Sequence, residues 1–204
     1  MAHNSKTTNP VDMRTNLKFT ALAFVAAAAF AGCKKDEDDP VTPVTPPNEE
    51  ELITTLTLHF HSAHDVEHKH FEFTDLDGDG GNAPEIHADT LSADSVYSVE
   101  IEVLDESGNP AEDITAEILA EGDVHQFFFQ FSGANASAAY ADTDANGLPV
   151  GLNSTWTIGA ASNGTVVVTL RHEPNKTGAG VSSGDITNAG GESDIEVTFP
   201  VVIE

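Results

Sequence analysis

From Leu52 to the end of the chain, apolar residues recur at every second position, which is the period of a β-strand with one buried face. The clearest runs are 97–103, 124–131 and 195–203. Pro200 lies inside the last run and has no backbone N–H to donate, so this run predicts an edge strand. Seven or eight such strands, separated by turn residues, predict an all-β fold, an Ig-like antiparallel β-sandwich.

Two local patterns add detail to this fold. Asn163-Gly164 is a strong turn signal between the runs 155–161 and 166–172, and it predicts a hairpin that places Trp156 opposite Arg171 as a cation–π pair. The run 111–120 has the only helical pattern in this part of the sequence.

The N-terminus predicts a processing segment. Lys18 precedes the apolar run 21–31, which is shorter than the roughly 20 residues that a transmembrane helix needs. The residues Phe30-Ala31-Gly32-Cys33 resemble a bacterial lipobox, in which the cysteine thiol is acylated. An ordinary signal peptide followed by an incidental cysteine is the alternative.

This reading divides the chain into three parts. Residues 1–32 are expected to be a lipoprotein signal peptide. Residues 33–50 form an acidic, Pro/Thr-rich and disordered tether that begins at acylated Cys33. Residues 51–204 form the β-sandwich domain.

The charge balance narrows the possible partners. The chain carries 34 acidic and 8 basic residues, a formal net charge of -26. Such a surface repels phosphate backbones, which excludes nucleic-acid binding. A single cysteine excludes a disulfide framework.

Histidines cluster in one predicted hairpin. Pairing the strands around residues 56–60 and 69–73 so that their apolar residues share a face sets Leu58 opposite Phe71. The same register sets His59 opposite His70 and His61 opposite His68, with His64 in the turn. Cross-strand imidazoles are close enough to share one ion, so His59, His61, His64, His68 and His70 are predicted ligands of zinc or copper, released by acid. A hydrophilic strand face that uses histidine, or a surface pH sensor, is the alternative.

Three other histidines of the predicted β-sandwich domain lie outside this hairpin. His125 shares a face with the phenylalanines of its strand and is expected to be a hydrogen-bonded histidine at the edge of the core. His87 and His172 have no evident partner in the sequence.

Two loops have carboxylates at alternating positions followed by glycine, a spacing that suits Ca²⁺. The predicted calcium ligands are Asp75, Asp77 and Asp79 in the first loop and Asp142, Asp144 and Asn146 in the second. Neither loop has the Glu that closes an EF-hand, and an Asp/Gly-rich turn without calcium is the alternative.

The sequence favours a non-catalytic protein. His64-Asp65-Val66-Glu67-His68 spells the inverted zinc-protease motif, but that chemistry needs a helix and the flanking pattern predicts strands. No phosphate loop or dinucleotide fingerprint is present.

The chain resembles uncharacterised surface lipoproteins of Bacteroidota that are often found beside TonB-dependent transporters. The stretches 77–84, 125–129 and 185–191 carry the resemblance, and Lys34-Lys35 followed by four acids resembles the surface-export signal of such lipoproteins. Some relatives bear a type 1 periplasmic-binding fold label, which requires βαβ units that this sequence lacks. The resemblance implies a lipid-anchored protein of the outer membrane that faces the cell exterior.

The predicted function is therefore a surface-anchored, non-catalytic binding lipoprotein that captures a transition metal, or a ligand bearing one, for an outer-membrane receptor such as a TonB-dependent transporter. The alternative is a calcium-rigidified structural or adhesive β-module whose histidines are incidental. A metal-dependent hydrolase is a more remote alternative.

Overall fold

The computed structural model describes residues 52–62, 68–78 and 80–204. The strands in this part of the chain are β1 Thr55–Ser62, β2 Lys69–Thr74, β3 Glu85–Ala88, β4 Val96–Asp105, β5 Glu112–Asp113, β6 His125–Ser132, β7 Ala136–Tyr140, β8 Asn153–Ile158, β9 Ser162–His172 and β10 Glu192–Ile203. One helix, α1, spans Ile114–Ala120, and short 3-10 turns span Val181–Ser183 and Ile186–Asn188.

The strands form two antiparallel sheets, which confirms the predicted all-β sandwich. The larger sheet has seven strands in the order β3-β2-β1-β4-β8-β7, with β5 paired to β4, and the smaller has the order β10-β9-β6. The described residues thus hold ten strands rather than seven or eight. The additional strands are short, and β3, β5 and β7 have little apolar alternation, so a period-two search does not find them.

The core lies between the two sheets and is built from the alternating apolar residues. Trp156 is fully buried, and its ring centroid lies 5.2 Å from that of Phe60 and 4.8 Å from that of Phe131. Phe71 of the larger sheet lies 5.7 Å from Phe199 of the smaller. Aromatic contacts therefore join the sheets, and edge-to-face pairs of this kind stabilise by about 0.5–1.5 kcal/mol beyond the area they bury.

The predicted register of the first hairpin is confirmed. β1 pairs with β2 so that Leu56 faces Phe73, Leu58 faces Phe71 and His59 faces His70. A shift by one residue would move the apolar side chains out of the core, which is why the apolar pattern alone sets this register.

The predicted hairpin around Asn163-Gly164 is wrong. Both residues lie within β9, which pairs with β6 and β10, whereas β8 pairs with β4 and β7 in the other sheet. Trp156 consequently faces Tyr97 and Ala138, and the predicted cation–π pair with Arg171 does not form. Glycine is needed at position 164 because another part of the backbone passes close to it. A Cβ on Gly164 would lie closer than 3.0 Å to the backbone of residues 132–134.

The helix is shorter than its predicted range 111–120. The residues Glu112–Asp113 pair with β4 before α1 begins. The Asp113 side chain then accepts a hydrogen bond from Ala116 N, which is an N-cap, and Ile114 and Ile118 face the core.

The segment between β9 and β10 covers the outer face of the smaller sheet. Phe128 points away from the main core and is fully buried against Val181, Ala189 and Ile186. β10 lies at the edge of its sheet, so the prediction drawn from Pro200 is confirmed.

Candidate metal centre

The outer face of the first hairpin carries histidines, as its register predicts. His59 and His70 are cross-strand partners, and the rings of His61 and His68 lie 5.9 Å apart. His59 Nε2, however, lies 3.4 Å from Glu102 Oε2 on β4. His64 lies outside the described residues, and the other four predicted histidines do not bring three ligand atoms together.

Three potential metal ligands come together between β2 and its other neighbour in the sheet, β3. His70 on β2, His87 on β3 and Asp89 just after β3 place one ligand atom each within 4.8 Å of one another. Asp89 Oδ2 lies 3.4 Å from His70 Nδ1, and Asp89 Oδ1 lies 3.2 Å from His87 Nε2. Two ligands bound to Zn²⁺ at 2.0–2.1 Å in tetrahedral geometry lie about 3.3 Å apart, so the spacing suits such an ion.

Backbone pairing fixes Asp89 in this group. Asp89 N donates to His70 O at 3.1 Å, and His70 N donates to Asp89 Oδ2 at 2.8 Å. The hydrogen bond from His70 N holds the pKa of Asp89 below its usual value, against the opposing effect of burial. Asp89 is therefore an anion at neutral pH, the form that binds a cation.

The surface around this group is acidic and open. Glu72 faces His87 across the β2–β3 pair, and Glu100 faces His59 across the β1–β4 pair. The side chains of His70 and His87 are 41% and 55% exposed. An ion at this position would keep contact with solvent and with any partner that approaches.

A second group is buried at one end of the core. It comprises His125, His172 and Asp194, whose ligand atoms also lie within 4.8 Å of one another. His125 is buried and hydrogen-bonded, as predicted, and burial lowers its pKa although the Glu121 carbonyl partly offsets that effect. It is therefore neutral at pH 7.

The first aspartate loop folds around its own side chains. Asp75 Oδ1 accepts a hydrogen bond from Gly78 N at 3.0 Å, and Asp77 Oδ2 accepts from both the backbone and the side chain of Asn82. These bonds, the backbone one first, hold the pKa of Asp77 below its usual value. Calcium at this loop stays a prediction, and Asp79 lies outside the described residues.

The second aspartate loop is held by protein groups. Asp142 accepts from Gly151 N and Asn153 N, and one oxygen of Asp144 accepts from Asn146 N at 2.8 Å and from the backbone of residue 148. The other oxygen of Asp144 accepts from buried Lys176 Nζ at 2.7 Å.

This arrangement favours the turn interpretation of the second loop over calcium. Lys176 Nζ also donates to Gly122 O and His125 O, so an ammonium group already supplies the cation there. Calcium at Asp142, Asp144 and Asn146 stays a prediction, and Asn146 contacts Asp144 through its backbone N.

Sequence reasoning missed His87, Asp89, His172 and Asp194. β3 holds a single large apolar residue, so its pairing with β2 could not be predicted, and that pairing brings His87 to His70. His172 and Asp194 lie far apart from His125 in sequence and meet only through the β6–β9–β10 sheet. The signal available in the sequence was that His125 begins the apolar run of β6 and His172 ends that of β9.

Two other predicted site residues, Cys33 and His64, lie outside the described residues, as does most of the inverted protease motif. No helix in the described part of the chain has the length and apolarity needed to cross a membrane. No protein-family model, curated protein or solved structure was found to match the chain.

Proposed function

We propose that the protein is a surface-anchored, non-catalytic binding lipoprotein that captures a transition metal, or a ligand bearing one, at the outer membrane. The observation that carries the proposal is the convergence of His70, His87 and Asp89 on an exposed sheet face. Of the histidines predicted from sequence, His70 belongs to this group and His59 lies beside it as its cross-strand neighbour.

The donor set favours a borderline transition metal. Two imidazole nitrogens and one carboxylate oxygen suit Zn²⁺ or Cu²⁺ better than Ca²⁺, which prefers six to eight oxygens. Three protein ligands leave a coordination position for water, or for a group of a ligand or receptor. Such a site suits a protein that takes up an ion and passes it on.

The charge of the protein supports the same role. A net charge of -26 concentrates cations near the surface, and Glu72 and Glu102 lie on the same sheet face as the three ligands. The acidic field raises the rate of cation encounter, while the imidazoles select among cations.

Calorimetry with ZnCl₂ and CuCl₂ tests the site. We expect His87→Ala and Asp89→Asn each to weaken binding at least about tenfold, because each removes one of three ligands. The matched control is Asp123→Asn, which removes an exposed carboxylate elsewhere and should leave the affinity unchanged. Equal affinities in all four proteins would exclude this site.

His61→Ala separates the two possible ligand sets. The sequence predicts a four-histidine arrangement on the two strands, with His64 in the turn, and this arrangement requires His61. The His70–His87–Asp89 group does not require it. We expect His61→Ala to bind zinc like the wild type. A loss comparable to that of His87→Ala would restore the four-histidine arrangement.

The anchor and the receptor are part of the proposal. Cys33 would carry the lipid, the tether would hold the domain away from the membrane, and a TonB-dependent transporter would receive the metal. Cys33→Ser is expected to move the protein from the membrane fraction to the soluble fraction, as followed by immunoblot and by the lipid mass on the N-terminal peptide. A wild type without that mass, or a variant that stays with the membranes, would contradict the anchor.

The alternative is a calcium-rigidified structural or adhesive β-module with incidental histidines. Its specific support is the first aspartate loop, where Asp75, Asp77 and Asn82 line one surface cavity and offer oxygen ligands of the kind that Ca²⁺ prefers. In that case zinc and copper should show no binding that His87→Ala or Asp89→Asn weakens, and deletion of the gene should leave metal uptake unchanged.

A further inference from the structure

Three polar side chains, those of His125, His172 and Asp194, lie together at one end of the core. The side chains of His125 and Asp194 are 0% and 1% exposed, and His172 is 6% exposed. Polar groups at such depth cost free energy unless they are well partnered, and a carboxylate costs the most.

Strand pairing brings the two histidines together. His125 begins β6 and His172 ends β9, and the two are direct partners in the antiparallel register. Their side chains share the inner face of the sheet with Phe127 and Leu170, because side chains alternate along a strand.

A β-bulge brings the carboxylate to them. The register of β10 against β9 shifts between Ser193 and Ile195, so Asp194 is the extra residue. Bulges redirect side chains, and here the Asp194 side chain is buried with its Oδ2 3.8 Å from His125 Nε2. Just before it, Gly191 has a φ of 71°, and a Cβ at that position would overlap the carbonyl oxygen of His172.

The orientation of His125 is that of a metal ligand. Its Nδ1 donates to Glu121 O at 3.1 Å, so in the neutral ring Nε2 carries the lone pair. That Nε2 lies 2.9 Å from His172 Nδ1 and faces Asp194. Histidines that bind metals through one nitrogen commonly donate the other N–H to a backbone carbonyl or a carboxylate.

We propose that His125, His172 and Asp194 bind one divalent transition-metal ion of the zinc class inside the core. The ion would take the place of the proton between the two rings. The separations of 2.9 Å and 3.8 Å lie on either side of the roughly 3.3 Å expected between tetrahedral zinc ligands, so small side-chain rotations suffice.

The electrostatics around the group allow a cation. Lys176 Nζ lies 3.0 Å from His125 O, but its charge is paired with Asp144 at 2.7 Å. Asp194 supplies a negative charge directly beside the ion. A bound dication would therefore offset the cost of burying that carboxylate.

This site differs from the surface group in kind and does not depend on it. An enclosed ion exchanges slowly and binds with folding, because the unfolded chain has no such site. The buried group would hold a structural ion, while the surface group would hold an exchangeable one.

Refolding in the presence of Co²⁺ tests the site, since four-coordinate Co²⁺ absorbs strongly in the visible range. The full chain would carry Cys33→Ser, which removes its only thiol. After refolding with CoCl₂ and dialysis against a weak chelator, we expect one equivalent of slowly exchanging cobalt. The His87→Ala form, which lacks the surface site, should retain the same spectrum.

Asp194→Asn and His172→Gln keep a polar side chain of similar volume but replace the ligand atoms. Each should lose the slowly exchanging cobalt, with affinity reduced at least about tenfold. Unchanged spectra and stoichiometry in both variants would overturn the proposal. If circular dichroism shows that a variant does not fold, the melting temperature of the wild type is measured after refolding with Co²⁺, with Zn²⁺ and with chelator. An ion bound only to the native state must raise that temperature. Three equal melting temperatures would therefore also overturn the proposal.

Discussion

Replacing Lys176 with methionine is expected to lower the free energy of unfolding by about 3–5 kcal/mol, because the change leaves a buried carboxylate without its cation. The side chains of Lys176 and Asp144 are 3% and 1% exposed, and Nζ lies 2.7 Å from Asp144 Oδ2. Nζ also satisfies the carbonyls of Gly122 and His125. Methionine has the length of the lysine stem but donates to none of these three oxygens. Urea denaturation followed by tryptophan fluorescence measures the loss.

The pH dependence of this effect has a definite sign. Burial raises the pKa of Asp144, but the hydrogen bonds from Lys176, Leu148 and Asn146 more than offset it and hold the pKa below its usual value. A carboxyl group with a lowered folded-state pKa contributes stability above its unfolded pKa of about 3.9, and this contribution is lost as the pH falls through the folded pKa. The wild type should lose this contribution in acid, while Lys176→Met should have little of it to lose.

Two further variants show whether the pair is responsible. Lys69→Met removes a half-buried lysine from the first hairpin and should change stability by less than about 0.5 kcal/mol. Lys176→Met combined with Asp144→Asn removes the buried charge and should recover part of the loss. A cost below about 1 kcal/mol for Lys176→Met alone would contradict the assigned role of the ammonium group.

The apolar pattern predicted the fold because it reports directly on burial. Leu56, Leu58 and Phe60 alternate along β1, and placing their partners on the same face leaves one register for β2. That register placed His59 opposite His70 correctly. The pattern could not place β3, because the residues Glu85–Ala88 are mostly exposed. Two of the three residues of the surface metal group, His87 and Asp89, lie on that strand or just after it.

The remaining misses come from contacts that are distant in sequence. Lys176 lies 32 residues from Asp144, so the loop 142–147 alone could not show that a protein ammonium group supplies its cation. His125 and His172 are 47 residues apart, and Asp194 joins them only through a bulge. A local sequence pattern contains no information on contacts between residues so far apart. These contacts depend on the order of the strands in the sheets, which was not predicted.

Replacing Gly164 with alanine is expected to destabilise the protein by at least about 3 kcal/mol, because the added methyl group would overlap backbone atoms that have no space to move. The chain leaves β6 at Ser132 and passes to the other sheet through Gly133, which has a φ of 76°. At this crossing it runs directly over Gly164, and a Cβ there would approach Ala134 N, Ser132 O and Gly133 C within 3.0 Å.

The same crossing explains why an Asn-Gly pair lies in the middle of a strand. A turn uses the freedom of glycine to adopt positive φ, whereas Gly164 is required for its missing side chain. Gly108→Ala is the matched control, because a Cβ at Gly108 would meet only Pro110 O at 3.6 Å. It should be neutral or stabilising by up to about 1 kcal/mol through the unfolded chain. Urea midpoints of the two variants that are equal within error would show that the crossing is not tight, and the Asn163-Gly164 pair would then need a different explanation.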